Sequence, residues 1–237
     1  MNWSFELAVV TGATRGIGKA LAQGLADRGA AVAVCARDAI AVERFASDLR
    51  AAGGKAFGAP CDVRVESDVT AFAARVQREM GAPTIVINNA GIARFVPVTE
   101  MTVEQWDETM ATNLRGMFLV TRAFLPSMLA HGHGTVVNIA SLAGRNALAN
   151  GAAYSASKHG VLGFSKSLLM EVRKRDVRVI AVCPGSVDTA FGDGALPGRP
   201  SRDRILTAAD VAAVVLETLE LNERATVSEL DIRPTNP

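Results

Sequence analysis

Tyrosine and cysteine are scarce in this sequence, and their scarcity excludes some classes of protein. There is one tyrosine in 237 residues, and aromatic side chains make up only 5% of a chain that is 49% hydrophobic. The core must therefore consist mainly of Ala, Val, Leu and Ile, which suits a parallel sheet buried on both faces. The three cysteines contain no CxxC pair, which indicates reduced thiols rather than a disulfide framework.

Long apolar runs, a leader segment and an excess of charge are also missing. No apolar run approaches the ~18 residues of a membrane-spanning helix. Residues 1–6 lack a basic region followed by an apolar stretch, so no signal peptide is expected. The net charge is +1 and no basic run is present, which gives no reason to expect nucleic acid or a membrane as a partner. We expect a soluble, cytoplasmic protein.

Short apolar runs alternate with amphipathic stretches almost from end to end. The runs typical of buried strands are 7–10, 31–35, 55–61, 84–87, 134–140, 177–183 and 227–232. The stretches between them predict helices, among them 19–28, 39–52, 66–80 and 151–175. A long helix is predicted to begin at Thr102, where Gln105 is placed for a capping box, and a last helix to begin at 207. This βαβ alternation predicts a single α/β domain over 1–237: a doubly wound Rossmann fold with about seven parallel strands flanked by helices. Ligands are expected at the carboxyl ends of the strands.

The first predicted strand leads into a glycine-rich turn at Gly12, Gly16 and Gly18. Glycine allows a tight turn and close approach of a pyrophosphate, and the helix that follows offers free N–H groups and a positive dipole. The spacing is GxxxGxG rather than GxGxxG. Its position between the first strand and the first helix indicates a site for nucleotide phosphate.

The end of the second predicted strand bears on the choice of nucleotide. An acidic residue there accepts from a ribose 2′-hydroxyl, whereas a basic one accommodates a 2′-phosphate. Ala36 closes this strand, Arg37 follows, and Arg15 in the glycine turn could reach the same phosphate. These residues favour NADP(H) over NAD(H). The alternative is that Arg37 is a solvated loop residue and Asp38 takes the acidic role.

Tyr154 and Lys158 are four residues apart in a predicted helix, so they share one of its faces. An ammonium beside a phenol is expected to lower the tyrosine pKa from ~10 towards the range of a general acid or base. Tyr-x-x-x-Lys also arises by chance on ordinary helix surfaces. Ser141, at the end of a predicted strand, could bring its hydroxyl to this tyrosine, and Asn113, mid-helix, needs a reason such as holding a water.

Polar residues also follow two other predicted strands. Asp62 could accept from an adenine amino group or cap the next helix, and both roles are compatible. Asn88 and Asn89 could fix the loop backbone and let a cofactor approach closely. His131 and His133 have no nearby cysteine or third histidine, so no metal site is expected.

These residues together resemble the short-chain dehydrogenase/reductase family, with the general look of 3-oxoacyl-(acyl-carrier-protein) reductases. The matching segments follow the family's order over about residues 5–232: Thr11-Gly12-x-x-x-Gly16-x-Gly18, Asp62-Val63, Asn88-Asn89-Ala90-Gly91, Asn113, Ser141, Tyr154-x-x-x-Lys158 and Pro184-Gly185-x-x-x-Thr189.

The resemblance implies a catalytic tetrad. Tyr154 would protonate a carbonyl oxygen as hydride arrives from the nicotinamide, or act as the base in reverse. Lys158 would lower its pKa and hold the nicotinamide ribose, Ser141 would polarise the carbonyl, and Asn113 would anchor a water that relays protons. The implied cofactor contacts are Gly12, Arg15, Ile17, Arg37, Asp62, Val63, Asn89, Tyr154, Lys158, Val187 and Thr189.

The resemblance thus implies an NADPH-dependent reductase of ketones or aldehydes. An oxidative NAD(P)+-dependent alcohol dehydrogenase and a non-catalytic dinucleotide sensor are the alternatives; a sensor predicts loss of a catalytic residue, and all four are present. The resemblance also suggests a homo-oligomer, a tetramer or dimer, packed through the helices carrying Asn113 and Tyr154.

The substrate end of the site is less well defined. Family members usually carry a longer substrate lid than the segment near 190–206. The candidates for lining the pocket are residues 92–95, residues 142–146 and Phe191. Arg94, Arg145 and Arg199 could meet an acidic substrate or carrier, and the alternative is that all three are solvated surface residues.

Overall fold

The computed structural model describes residues 2–189, 191, 204–222 and 224–235. Its strands are β1 (Leu7–Thr11), β2 (Ala31–Ala36), β3 (Ala56–Pro60), β4 (Ile85–Asn88), β5 (Gly134–Ile139), β6 (Val177–Pro184), β7 (Val187–Asp188), β8 (Leu206–Thr207) and β9 (Glu229–Ile232). Its α-helices are α1 (Gly16–Asp27), α2 (Ala39–Ala51), α3 (Glu66–Glu79), α4 (Val103–Met110), α5 (Gly116–His131), α6 (Ala152–Val172) and α7 (Ala208–Glu220). These elements confirm the predicted alternation.

The main sheet has seven strands in the order β3-β2-β1-β4-β5-β6-β9, and every pairing is parallel. This confirms the predicted doubly wound α/β fold. Val10 of β1 pairs with Val34 of β2 on one side and with Ile87 of β4 on the other. The chain therefore changes direction across the sheet between β1 and β4. In such sheets a crevice opens at the carboxyl ends of the two strands where the order reverses.

Aliphatic side chains fill both faces of the sheet, as the low aromatic content predicts. Alternate residues of a strand face opposite sides, so Val10 packs with α1, α2 and α7 while Val9 packs with α3, α5 and α6. On the second face Phe72 and Phe124 pack edge to face with ring centroids 6.2 Å apart. Two buried faces make the sheet a rigid base for the loops at its carboxyl edge.

Three local features differ from the sequence prediction. Helix α1 begins at Gly16, inside the glycine turn, rather than near residue 19. The predicted long helix does begin with a capping box at Thr102, but a π-helical turn over Ala111–Arg115 separates α4 from α5. Strands β7 and β8 were not predicted; they pair Val187 with Leu206. Most of the predicted lid, residues 190 and 192–203, lies outside the described residues.

Within the described ranges, none of the helices combines the length and apolar character that crossing a membrane requires.

Candidate active site

A cavity of about 830 Å³ lies at the carboxyl edge of the sheet, over the crevice between β1 and β4. The predicted site residues that line it are Gly12, Arg15, Ile17, Arg37, Asp62, Val63, Asn89, Ser141, Tyr154, Lys158, Val187 and Thr189. Asn113 does not line it and is buried behind the loop that follows β4. The loops that follow strands β1 to β6 therefore meet around one concave space.

The glycine turn forms one wall of this cavity. Gly12 and Gly16 adopt φ values of +65° and +56°, which side chains other than glycine rarely tolerate. The Asn89 amide donates to the carbonyls of Thr11 and Gly12 at 2.9 and 3.1 Å, so it fixes the turn as predicted. Arg15 is the N-cap of α1, and its side chain makes no capping bond. The first N–H groups of α1 can therefore bind an anion such as phosphate.

Two arginines stand at the rim beside this turn. Arg15 and Arg37 are exposed, and neither side chain makes a hydrogen bond or ion pair with any other part of the chain that the structure describes. Asp38 instead caps α2, because one of its carboxylate oxygens accepts from the N–H groups of Ile40 and Ala41 at 3.0 Å. The two arginines are therefore available to a ligand, whereas Asp38 stabilises the first turn of α2.

Asp62 is held by an arginine that the sequence analysis missed. Arg64 donates to the Asp62 carboxylate at 2.6 Å and to Glu108 at 2.9 Å, and Glu108 also accepts from Arg94 at 2.6 Å. The hydrogen bond with Arg64 lowers the pKa of Asp62. The prediction that Asp62 caps a helix is wrong, since Val65 is the N-cap of α3. The sequence did carry a signal for this ion pair, because Arg64 lies only two residues after the carboxylate of Asp62.

Tyr154 and Lys158 lie on one face of α6, as predicted, and both are almost fully buried. The Lys158 nitrogen lies 5.8 Å from the centroid of the Tyr154 ring and donates to the Ile139 carbonyl at 2.8 Å. Ser141 follows β5 and lines the same cavity as Tyr154, where its side chain interacts with the tyrosine, so the two residues meet as expected. Gly144 permits this approach, because a methyl group there would lie 2.7 Å from the Lys158 carbonyl oxygen.

Burial controls the ionisation of this pair. It raises the pKa of Tyr154 to about 12, and the opposing effect of the Ser141 hydrogen bond is smaller. It also lowers the pKa of Lys158 to about 8, because a buried ammonium loses its hydration. The prediction that the tyrosine pKa is lowered is therefore wrong for this structure, because burial sets the direction of the net shift. The phenol stays protonated at neutral pH while most of the lysine remains charged.

Asn113 uses its whole carboxamide to hold the loop that follows β4. Its oxygen accepts from the Ile92 N–H at 2.8 Å, and its nitrogen donates to the Ile92 carbonyl at 2.9 Å and to Ser157 at 3.0 Å. The side chain is thus occupied by protein groups, which is the reason for a buried asparagine mid-helix. It sits in the π-helical turn, where the Gly116 N–H bonds the Ala111 carbonyl five residues back. Such turns often mark functional positions in helices.

A second buried polar chain supports the same region. Asn88 ends β4 and donates to Thr121 at 2.9 Å and to Asn138 at 2.8 Å, and Asn138 donates to Ser165 at 2.8 Å. These bonds fasten β4 and β5 to α5 and α6, so they hold in place the strand ends that carry Asn89 and Ser141. Asn88 was predicted to fix loop backbone; in the structure it joins strands to helices instead.

The predicted pocket segments do reach the end of the cavity that carries Ser141 and Tyr154. The lining residues among them are Ile92, Phe95, Leu142, Ala143, Asn146 and Phe191. Arg94 and Arg145, from the same segments, do not line it, and Arg199 lies outside the described residues. Leu148 and Thr112 complete this end and were not predicted.

The family model for the short chain dehydrogenases matches residues 6–198 of this chain. The 3-oxoacyl-(acyl-carrier-protein) reductase of Escherichia coli is 36% identical over 189 residues, covering 80% of this chain and 76% of that protein. The D-threitol dehydrogenase of Mycolicibacterium smegmatis is 42% identical over 193 residues, covering 81% and 74%. This chain belongs to the short-chain dehydrogenase family of oxidoreductases.

Solved structures with the same fold include two complexes with nicotinamide cofactors. An actinorhodin polyketide ketoreductase with NADPH has a TM-score of 0.90 and 34% identity, covering 97% of this chain and 96% of that one. An alcohol dehydrogenase from the archaeon Thermococcus sibiricus with 5-hydroxy-NADP has a TM-score of 0.90 and 32% identity, covering 97% of both chains. These likenesses agree with the seven-stranded parallel sheet described above.

Proposed function

We propose that this protein is an NADPH-dependent oxidoreductase that reduces a ketone or aldehyde to an alcohol, with Tyr154 as the general acid. The observation that carries the proposal is the convergence of Ser141, Tyr154 and Lys158 at one end of a cavity whose other end is a phosphate-binding glycine turn. A hydride donor, an acid and a polar group at the developing negative charge are what carbonyl reduction requires.

The preference for NADP(H) rests on Arg15 and Arg37. Both are exposed at the rim and their side chains are unpaired within the described chain, so a 2′-phosphate would gain two guanidinium partners without breaking existing ion pairs. Asp38, which an NAD(H) preference would require, caps α2. Related enzymes have been crystallised with NADP or NADPH. The other contacts that we propose for the cofactor are Gly12, Ile17, Asp62, Val63, Asn89, Tyr154, Lys158, Val187 and Thr189.

The raised pKa of Tyr154 suits the reductive direction. A bound nicotinamide would supply the hydride. A phenol with a pKa of about 12 is fully protonated at neutral pH and can give its proton to the more basic alkoxide that forms. Ser141 would polarise the carbonyl, and the Lys158 ammonium, 5.8 Å from the centre of the tyrosine ring, would stabilise the phenolate left behind. Asn113 takes part as the residue that positions the loop at Ile92, and any water relay would depend on that loop.

The oxidative dehydrogenase is the second candidate function. It requires Tyr154 as a base, hence as a phenolate, and burial opposes that form at neutral pH. We therefore expect oxidation to be favoured only at high pH. A cofactor-binding sensor without turnover has no support from the site, since the four residues of the tetrad are retained.

We also propose a single domain with a short lid near 190–206, a homo-oligomer, either a tetramer or a dimer, and a cytoplasmic location. Helices α4, α5 and α6 expose Val103, Trp106, Phe118 and Met170, an apolar set that self-association would cover. The cysteines are free and buried, which suits a reducing compartment.

The deciding experiment compares the protein with Tyr154→Phe in NADPH binding and in carbonyl reduction. The variant should bind NADPH within about twofold of the wild type and lose roughly 10³-fold in kcat, since it lacks only the transferable proton. An active Tyr154→Phe variant would refute the assignment. In parallel, Arg37→Ala and Arg15→Ala should each weaken NADPH binding about tenfold and leave NADH binding unchanged. Equal losses for both cofactors would mean that the arginines do not act through a 2′-phosphate. Wild-type binding of NADH as tight as that of NADPH, or tighter, would point back to Asp38.

A further inference from the structure

The charged and neutral residues of the cavity are segregated along its length. The charged side chains at the nucleotide end come from the loops after β1, β2 and β3: Arg15, Arg37, Asp38, Asp62 and Arg64. The end that carries Ser141 and Tyr154 is lined instead by Ile92, Phe95, Leu142, Leu148 and Phe191, with Thr112 and Asn146 as neutral polar groups. Lys158 is the one charged lining residue at that end among those the structure describes, and it is only 4% exposed.

Two phenylalanines flank the tyrosine. The rings of Phe95 and Phe191 each lie 5.9 Å from the ring of Tyr154, at interplanar angles of 66° and 56°. Phe95 is held from behind, because Val96 donates to the Asn150 carbonyl at 2.7 Å and so ties its loop to the one before α6. Phe191 remains 36% exposed and closes the other side. A carbonyl that reaches Tyr154 must therefore place its substituents against aromatic surface.

The described arginines nearest this end are already neutralised. Arg94 pairs with Glu108 at 2.6 Å, and Arg145 pairs with Asp231 and Glu229, each at 2.6 Å. Neither side chain lines the cavity. Lys158 donates to the Ile139 carbonyl and is covered by the tyrosine ring. A carboxylate or phosphate next to the reacting carbonyl would thus be desolvated without a matching cation from the described residues.

We infer that the substrate is a neutral carbonyl compound whose carbonyl carries an aromatic or bulky apolar group, and that anionic analogues are rejected. This inference rests on the reductase function proposed above and narrows its substrate class. A site for an acidic small molecule would instead offer an arginine that can pair with the acid group. The aromatic walls supply the affinity for the apolar group, and the lack of a free cation among the described lining residues supplies the discrimination.

Three compounds with the same reacting carbonyl test the inference. Methyl phenylglyoxylate is neutral and aromatic, phenylglyoxylate replaces the ester by a carboxylate, and methyl pyruvate replaces the phenyl by a methyl group. We expect kcat/KM for methyl phenylglyoxylate to exceed that for phenylglyoxylate by at least about 100-fold, because the carboxylate loses its hydration without a partner. The advantage over methyl pyruvate should be about tenfold and should fall to less than about threefold in Phe95→Ala and Phe191→Ala.

Phe5→Ala is the matched control, since Phe5 is exposed and lies outside the cavity, and it should leave both ratios unchanged. Turnover of the anion within threefold of the ester, or an aryl advantage that survives both variants, overturns the inference. If none of the three compounds is reduced, the reductase proposal fails, and binding decides this inference separately. Calorimetry with NADPH present, whose reduced nicotinamide ring is neutral, should show methyl mandelate binding at least about tenfold more tightly than mandelate. Equal or tighter binding of mandelate, or no binding of either, overturns the inference.

Discussion

Replacing Lys158 by methionine should remove a pH-dependent cost to folding. The pKa of this lysine falls from 10.5 in its ordinary state to about 8 in the fold, because its ammonium is buried. Each unit is worth about 1.4 kcal/mol, so the buried charge costs about 3 kcal/mol below pH 8. Because the pKa of Lys158 is lower in the folded state than in the unfolded state, this cost is absent above the unfolded-state pKa of 10.5. The cost appears as the pH falls from 10.5 and is complete below the folded-state pKa of about 8. The wild type should therefore gain up to about 3 kcal/mol relative to Lys158→Met as the pH rises from 8 to 10.5.

Urea unfolding followed by the fluorescence of Trp3 and Trp106, at fixed protein concentration and at pH 7, 8, 9 and 10, measures this difference. The variant also leaves the Ile139 carbonyl without its donor, which costs about 1–3 kcal/mol at every pH and so shifts the curve without bending it. The titration of Tyr154 is common to both proteins. Lys166→Met on the same helix is the control, because that side chain is 64% exposed and has no burial penalty. Parallel curves for wild type and Lys158→Met would refute the reasoning.

The contacts of Asn113, Gly18 and Lys158 each lead to a further prediction. Asn113→Ala removes three hydrogen bonds and leaves the Ile92 N–H and carbonyl unpaired. The free energy of unfolding, measured in urea, should therefore fall by about 2–4 kcal/mol. A fall below about 1 kcal/mol would mean that the loop does not depend on Asn113. Gly18→Ala places a methyl group 2.3 Å from the Asn89 amide nitrogen, so it should disturb the glycine turn. NADPH should then bind at least about tenfold more weakly in a fluorescence titration. An unchanged affinity would mean that the cofactor does not bind at this turn. The rate of carbonyl reduction should be level up to about pH 8 and fall above it as Lys158 loses its proton, and a rate that stays level to pH 10 would exclude a role for the ammonium.

The elements of this fold could be read from the sequence because they depend on local patterns. Apolar runs and amphipathic stretches predict strands and helices, and most observed bounds lie within about one to three residues of the predicted ones. The capping box at Thr102 is set by two side chains three residues apart, and it is present as predicted. The π-helical turn at Asn113 was not foreseen, since the hydrogen bonds that hold this side chain reach Ile92, twenty-one residues away.

The candidate site was also largely predictable, for a topological reason. In a parallel sheet all strands end at one edge, so residues that follow different strands must meet there. Arg64 escaped prediction because its role depends on ion pairs with Asp62 and with Glu108, and Glu108 lies 44 residues further along the chain. Phe191 was expected near the pocket, but its contact with the Tyr154 ring is set by the fold rather than by spacing.

The sequence by itself determined the doubly wound sheet, the glycine turn and the convergence of Ser141, Tyr154 and Lys158, because helix spacing and strand order are properties of the chain. The tertiary structure alone decided which of these groups carry charge. Sequence spacing indicated a cation that lowers the tyrosine pKa, whereas burial raises it to about 12. The free energy of a charge depends on the water removed around it, and that is fixed by neighbours such as Phe95 and Phe191, which lie far from Tyr154 along the chain.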